Sequence, residues 1–269
     1  TEYYYDGCGS LTADINKGIS HIDYDMNGMP TRIQFTKGNV TEYIYSADGQ
    51  KLRTIHRTAV PGLTVPLHQT HTLTAAETMY VDSTTYAGSV EIDGSMNTKW
   101  YFGEGYLQMP GTSSQYTTYY TIPDYQGNIR KVVKSDGTVV QQTAYYPFGG
   151  LYVGSTANIG SDVQTHKYNG KELDRLHGLD LYDYGARQYD PTMGQYLTID
   201  PLAEKYYHLT PYSYCGGDPV NAVDPDGRDW YSFNGTYKWY GITDEIYKDK
   251  DGNEWINVGH TYTDKKTNI

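Results

Sequence analysis

Two aspartates stand directly before prolines, Asp200 in Ile199-Asp200-Pro201 and Asp224 in Val223-Asp224-Pro225, 24 residues apart. That separation is long enough for the chain to fold back and bring the carboxyls together. Carboxyls held close cannot both ionise comfortably, so they share a proton. One can then activate water while the other protonates the nitrogen that leaves a cleaved amide. The same residues also have a structural use. Asp-Pro starts turns, and Asp224-Pro225-Asp226-Gly227 has ideal turn composition. Asp226 competes as the second carboxylate.

Other chemistries have less behind them. His68 and His71 form a His-Gln-Thr-His pair in a Thr-rich, extended or looped stretch with no clear third ligand, so no metal site is expected there. Residues 245–254 do not follow the EF-hand spacing and read instead as a hairpin turning at Lys250-Asp251-Gly252. There is no nucleophile elbow, and no P-loop or GxGxxG in a strand-turn-helix context. Cys8 and Cys215 lie far apart with no CxxC pair, which predicts two free thiols, no disulfide and no zinc. No cofactor is expected.

The elements that would position such carboxyls are short strands. Of 269 residues, 31 are Tyr against 4 Phe and 4 Trp, and 29 are Gly. Tyrosine has a flat apolar body and a hydrogen-bonding tip, so it suits half-exposed β surfaces. Glycine at this level implies frequent tight turns. Three segments repeat a pattern: Tyr5-Asp6-Gly7-Cys8-Gly9, Tyr24-Asp25-Met26-Asn27-Gly28 and Tyr45-Ser46-Ala47-Asp48-Gly49, their tyrosines 19 and 21 residues apart. Tyr125-Gln126-Gly127-Asn128 is a weaker copy. In each, a β-like run ends at the Tyr, turns at the Asx/Gly pair and starts again. Independent hairpins in a sandwich would give the same turns, but a period of about 20 residues favours a repeat architecture.

The YDxxG pattern at this period resembles the YD repeats of RHS-type proteins, which wind into a spiral β-strip around a hollow chamber. The later segment resembles the RHS-repeat-associated core domain, in a Bacteroidetes-like branch. The matching stretch runs from Tyr168-Asn169-Gly170-Lys171-Glu172-Leu173 through Leu181-Tyr182-Asp183-Tyr184-Gly185-Ala186-Arg187-Gln188-Tyr189-Asp190-Pro191. It continues over Gly194–Tyr206, Pro211-Tyr212-Ser213-Tyr214-Cys215 and Pro219 to Asp224-Pro225-Asp226-Gly227, with Tyr145-Tyr146-Pro147-Phe148-Gly149 upstream. The chain departs from relatives at Arg228, where many place Leu or Met, and at Gly217-Asp218, where this branch often has Asn-Asn.

The resemblance implies an all-β chain of tandem YD hairpins, a curved or spiral shell segment ending in the core domain. It implies an aspartyl autoprotease that cuts after a DPxG-like motif, with Asp200 and Asp224 as carboxyls and Arg187 matching the family's functional arginine. Arg187 would hold one carboxylate ionised or stabilise the oxyanion. On residues alone, it could equally pair with Asp183 or Asp190. The cut would fall between Arg228 and Asp229.

Three regions follow: a repeat segment over 1–165, a core domain over 166–228 and a variable tail or start of cargo over 229–269. Within them, 59–80 reads as an insertion or irregular crossing, and 203–207 as a short helix. Expected partners are the chain's own C-terminal cargo, upstream repeats of the same polypeptide, and secretion machinery or cell-surface components. The expected setting is a secreted or surface-bound bacterial toxin or effector. A net charge of -11 argues against nucleic acid as partner, and no apolar run is long enough for a membrane helix. The alternative is a non-catalytic surface module whose exposed tyrosines contact glycan or protein.

Overall fold

The computed structural model describes residues 2–152, 164–205, 207–228, 231–232, 246–248 and 254–256. Among them there is no α-helix, only four one-turn 3-10 segments, one of them Ala203–Lys205 within the stretch expected to be helical. Thirteen antiparallel strands, from β1 (Tyr3–Tyr5) to β13 (Val139–Gln142), form one sheet in which each pairs with its neighbours in sequence. Among these are β3 (Ile19–Tyr24), β4 (Pro30–Phe35), β5 (Val40–Tyr45), β6 (Lys51–Ala59) and β7 (Thr78–Ala87).

The repeat turns work as their composition demands. Asp6 Oδ1 accepts the N–H groups of Cys8 and Ser10 at 2.9 and 2.8 Å, and Asp25 Oδ1 those of Asn27 and Met29, both at 2.9 Å. The carboxylate thereby satisfies amides that the tight turn would leave unpaired. In the third copy Ser46 Oγ takes this role, accepting from Gln50 N–H at 3.0 Å. Asp93 and Asp124 repeat the aspartate version further along the sheet.

Both faces of the early sheet are covered. After β6 the chain leaves the sheet, and residues 60–77 cross one of its faces. Val65 N–H donates to Thr36 O and His68 N–H to Ser20 O, each at 2.8 Å, while Arg32 and Gln34 of β4 bond His71. The irregular crossing expected at 59–80 is therefore tied to the sheet by its backbone. His71 faces Glu77 at 3.1 Å and the His68 ring stands edge-on to Tyr4, so the two histidines serve different neighbours.

The opposite face carries the later segment. Strands β14 (Glu172–Asp174), β15 (Leu181–Asp183), β16 (Gln188–Asp190) and β17 (Gln195–Tyr196) form a second antiparallel sheet. From this sheet and the residues flanking it, Leu179, Leu181 and Leu197 share one buried cluster with Leu11, Ile19, Ile22, Ile33 and Phe35 of the long sheet. Each such side chain contributes about 1.5–3 kcal/mol of burial. Charge frames this contact: Lys51 Nζ lies 2.6 Å from both Glu172 and Asp183, and Tyr43 donates to Asp174 at 2.7 Å.

In the later segment, tyrosine departs from the half-exposed role it keeps along most of the long sheet. Tyr168, Tyr182, Tyr184, Tyr189, Tyr196 and Tyr214 are almost wholly buried in one cluster with Cys215. Burial is tolerable because each hydroxyl is bonded. Tyr168, Tyr189 and Tyr182 donate in turn to the carbonyls of Pro147, Phe148 and Gly149. Tyr184 and Tyr214 converge on Asn169 Oδ1. Cys8, exposed, and Cys215, buried, are both free thiols.

Beyond the core, β18 (Ala222–Val223) pairs with β19 (Tyr231–Ser232), and β20 (Ile246–Lys248) with β21 (Glu254–Ile256). The turn expected at Lys250-Asp251-Gly252 lies outside the described residues. No helix among the described residues is long and apolar enough to cross a membrane.

Candidate functional site

Arg187, Asp200 and Asp224 come together beneath the turn at 225–228. Arg187 follows the tight turn after β15, where Asp183 Oδ1 caps Gly185 N–H at 2.8 Å. Its side chain is 1% exposed. A buried guanidinium must satisfy its donors, and this one is nearly enclosed by acceptors. Nη2 reaches Asp200 Oδ2 at 2.9 Å and lies 3.7 Å from Asp224 Oδ2; Nη1 donates to Pro211 O at 3.2 Å and Nε to Gly227 O. The pairing is thus with Asp200, not with Asp183 or Asp190. The guanidinium stands between the two carboxyls, so the acids meet through the arginine.

Asp200 sits in its own turn, with Oδ1 accepting Leu202 N–H at 2.7 Å and its side chain 12% exposed. Asp224 is sealed. Its Oδ1 accepts from the N–H groups of Asp226, Gly227 and Arg228 at 3.1, 2.7 and 3.3 Å, and Oδ2 accepts from the Tyr196 hydroxyl at 2.6 Å. Burial pushes the Asp224 carboxyl up to about 6, against the opposing pull of Tyr196, Arg187 and the backbone donors. Desolvation rather than repulsion from Asp200 is therefore the main cause of the raised value.

The turn is held on its other side too. Lys171 Nζ donates to Pro225 O, Ala186 N–H to Asp226 O at 3.0 Å, and Arg187 Nε to Gly227 O. Every backbone polar group from the Pro225 carbonyl to the Arg228 N–H is thereby bonded. Asp226 contributes only locally, its Oδ1 accepting from Arg228 N–H at 3.2 Å. Gly227 has φ +79°, and a Cβ there would stand 3.1 Å from Arg187 N, so the turn needs glycine for both conformation and space. A cavity of about 680 Å³ opens beside it, lined by Asn27, Gly49, Asp183, Ala186, Asp226 and Arg228. Asp229 lies outside the described residues.

Tyr196, Lys171 and Ala186 were not singled out from sequence. Among 31 tyrosines nothing marks one as a carboxyl's partner. A backbone N–H such as that of Ala186 leaves no sequence signal at all. Among the described residues no group of three or more His, Cys, Asp or Glu is arranged to hold a metal ion.

The same antiparallel β fold occurs in solved structures. The chain superposes on the crystal structure of TcdB2-TccC3 without its hypervariable C-terminal region with a TM-score of 0.66 at 22% identity, over 83% of this chain and 11% of that one. Two sequence relatives are similar over part of the chain. Toxin subunit YenC2 of Yersinia entomophaga is 35% identical over 120 residues, covering 43% of this chain and 12% of that protein. Salivary gland surface protein 1 of Aedes aegypti is 32% identical over 146 residues, covering 53% of this chain and 4% of that protein. This chain therefore spans only a small part of the length of either relative. No protein-family model matches it. The RHS/YD-repeat family fits both the sheet and the toxin-subunit relatives.

Proposed function

We propose that this chain is the closing segment of an RHS-type toxin shell, of Bacteroidetes-like type, that encloses its C-terminal cargo and severs itself from it once. Residues 1–165 form shell, 166–228 the self-processing core, and 229–269 the start of what is released. The observation that carries the reading is the clamped turn: all backbone polar groups from Pro225 O to Arg228 N–H are bonded, by Asp224, Lys171, Ala186 and by an arginine that also pairs with Asp200. A structural turn needs its amides capped; it does not need a buried arginine shared with a second aspartate.

The two acids divide the work. Asp200, ion-paired with Arg187 and nearer to solvent, is the base; Asp224, raised toward neutrality by burial, is the acid. Water from the adjoining cavity attacks the Arg228 carbonyl carbon, and its proton passes to Asp200. Arg187 supports the oxyanion. Asp224 protonates the Asp229 nitrogen as the C–N bond breaks, leaving an amine on Asp229 and a carboxylic acid on Arg228 that then releases its proton to solvent. The turn holds the bond beside its catalyst, so no external substrate has to bind. The released 41 residues stay paired through β19 against β18. Export and surface location come with the family resemblance and belong to the same proposal.

Intact mass under denaturing conditions tests this. Wild type should appear as two pieces divided after Arg228. D200N and D224N should stay whole and R187A be slowed or blocked, while D226N should cut nearly as wild type does. A wild-type chain that stays whole for days between pH 5 and 8 would overturn the catalytic reading and favour a structural module.

A further inference from the structure

The geometry points to Tyr196 as a positioning residue of this site, its hydroxyl fixing the Asp224 carboxyl and its ring face fixing the Arg187 guanidinium. The consequence for cleavage rests on the self-processing reading; the contacts themselves do not. Tyr196 comes from the short strand β17 and is 1% exposed. Its hydroxyl donates to Asp224 Oδ2 at 2.6 Å, and the Arg187 guanidinium carbon lies 3.7 Å from its ring centroid. One side chain therefore touches both an acid and the cation that separates it from the other acid.

The two contacts do different things. The turn's N–H groups occupy Oδ1, which leaves Oδ2 as the oxygen that exchanges a proton with the peptide bond. Tyr196 aims that oxygen and stabilises it when charged, since a hydrogen bond to a carboxylate favours ionisation. The ring supplies a flat, electron-rich floor that keeps the guanidinium in the plane where Nε meets Gly227 O and Nη2 meets Asp200. Burial keeps the phenol itself protonated, so it remains a donor throughout the working range. The other charged or titratable groups around Asp224 are Arg187, Lys171, Cys215 and Asp226. None of them combines a hydrogen bond to Oδ2 with support of the arginine.

Tyr196→Phe keeps the ring and removes the hydroxyl. On full-length chain labelled with ¹³C at the aspartate carboxyls, the Asp224 resonance, assigned by its loss in D224N, should titrate about one pH unit higher in Y196F than in wild type. Any limb of the self-cleavage pH profile that reports Asp224 should move by the same amount. Tyr196→Leu, which also removes the ring, should slow cleavage well beyond Y196F. A fold-independent control uses wild type alone: the Tyr196 ¹³Cζ resonance should follow the midpoint of Asp224. An unchanged Asp224 midpoint in Y196F, or a Tyr196 resonance that stays flat through that range, overturns the role. If wild type never cuts, the self-processing reading fails, while the two titrations still decide the position of Tyr196.

Discussion

Asp224 is neutral-leaning by placement, and that has a sign in stability. Its folded value, about 6, lies above that of an exposed aspartate. The folded chain thus binds a proton more tightly than the unfolded one between about pH 4 and pH 6. The stability this provides is complete below about pH 4 and lost as pH rises through 6. Two units correspond to roughly 3 kcal/mol. Asparagine at this position has no charge to desolvate and still accepts the turn amides through its oxygen. Urea unfolding of D224N and wild type at pH 5 and pH 8 should show the difference between them moving in the variant's favour at the higher pH, by about 1.4 kcal/mol, because about one of the two units lies above pH 5. A pH-independent difference would mean that Asp224 is not raised.

The turn carrying Asp224 uses the same device as the repeats. Asp6, Asp25, Asp93, Asp124 and Asp224 each accept amides two and four residues on through one carboxyl oxygen. What distinguishes the last is its cover. Gly28 and Gly227 make the contrast testable, for both have left-handed backbone, φ +77° and +79°. A Cβ at Gly28 meets nothing within 4 Å, whereas at Gly227 it meets Arg187 N at 3.1 Å and Tyr184 Cβ at 3.2 Å. G28A should cost about 1 kcal/mol of conformational strain and leave cleavage intact. G227A should cost more and slow the cut, as read by thermal melts and intact mass. The turns and the all-β class were legible because composition fixes them locally, whereas the grouping of Asp200, Asp224 and Arg187 was suggested only by the resemblance. The six buried tyrosines, the arginine wedged between the acids and the roles of Lys171 and Tyr196 were not legible. Those depend on which face the later segment turns toward the sheet, and a mean over 31 tyrosines hides it.

At the scale of the molecule, the later segment is fastened to the long sheet by apolar packing and by a few buried charges. Lys51 is central, 2.6 Å from both Glu172 and Asp183 and 13% exposed. Methionine there would leave two carboxylates facing each other without a cation. Removing one partner of a buried pair costs about 3–5 kcal/mol. K51M should lower the melting temperature and raise hydrogen exchange in β14 and β15 before it does so in β1 to β5. Uniform loss of protection along the chain would show instead that the two sheets unfold as a single unit.

The strand order also fixes a sequence in time. Each of the thirteen strands meets its immediate neighbour in the chain, so the long sheet can zip up from either end with small loop-closure costs. The later segment cannot follow that rule. Lys17 reaches Leu179, Tyr43 reaches Asp174, and Tyr212 reaches back to Gly9, spans of 162, 131 and 203 residues. Contacts so distant in sequence form only once the surface that receives them exists, and during synthesis that surface is made first. Arg187, Asp200 and Asp224 then assemble last, on a finished sheet. Any chemistry they perform is delayed until the wall they are mounted on is standing.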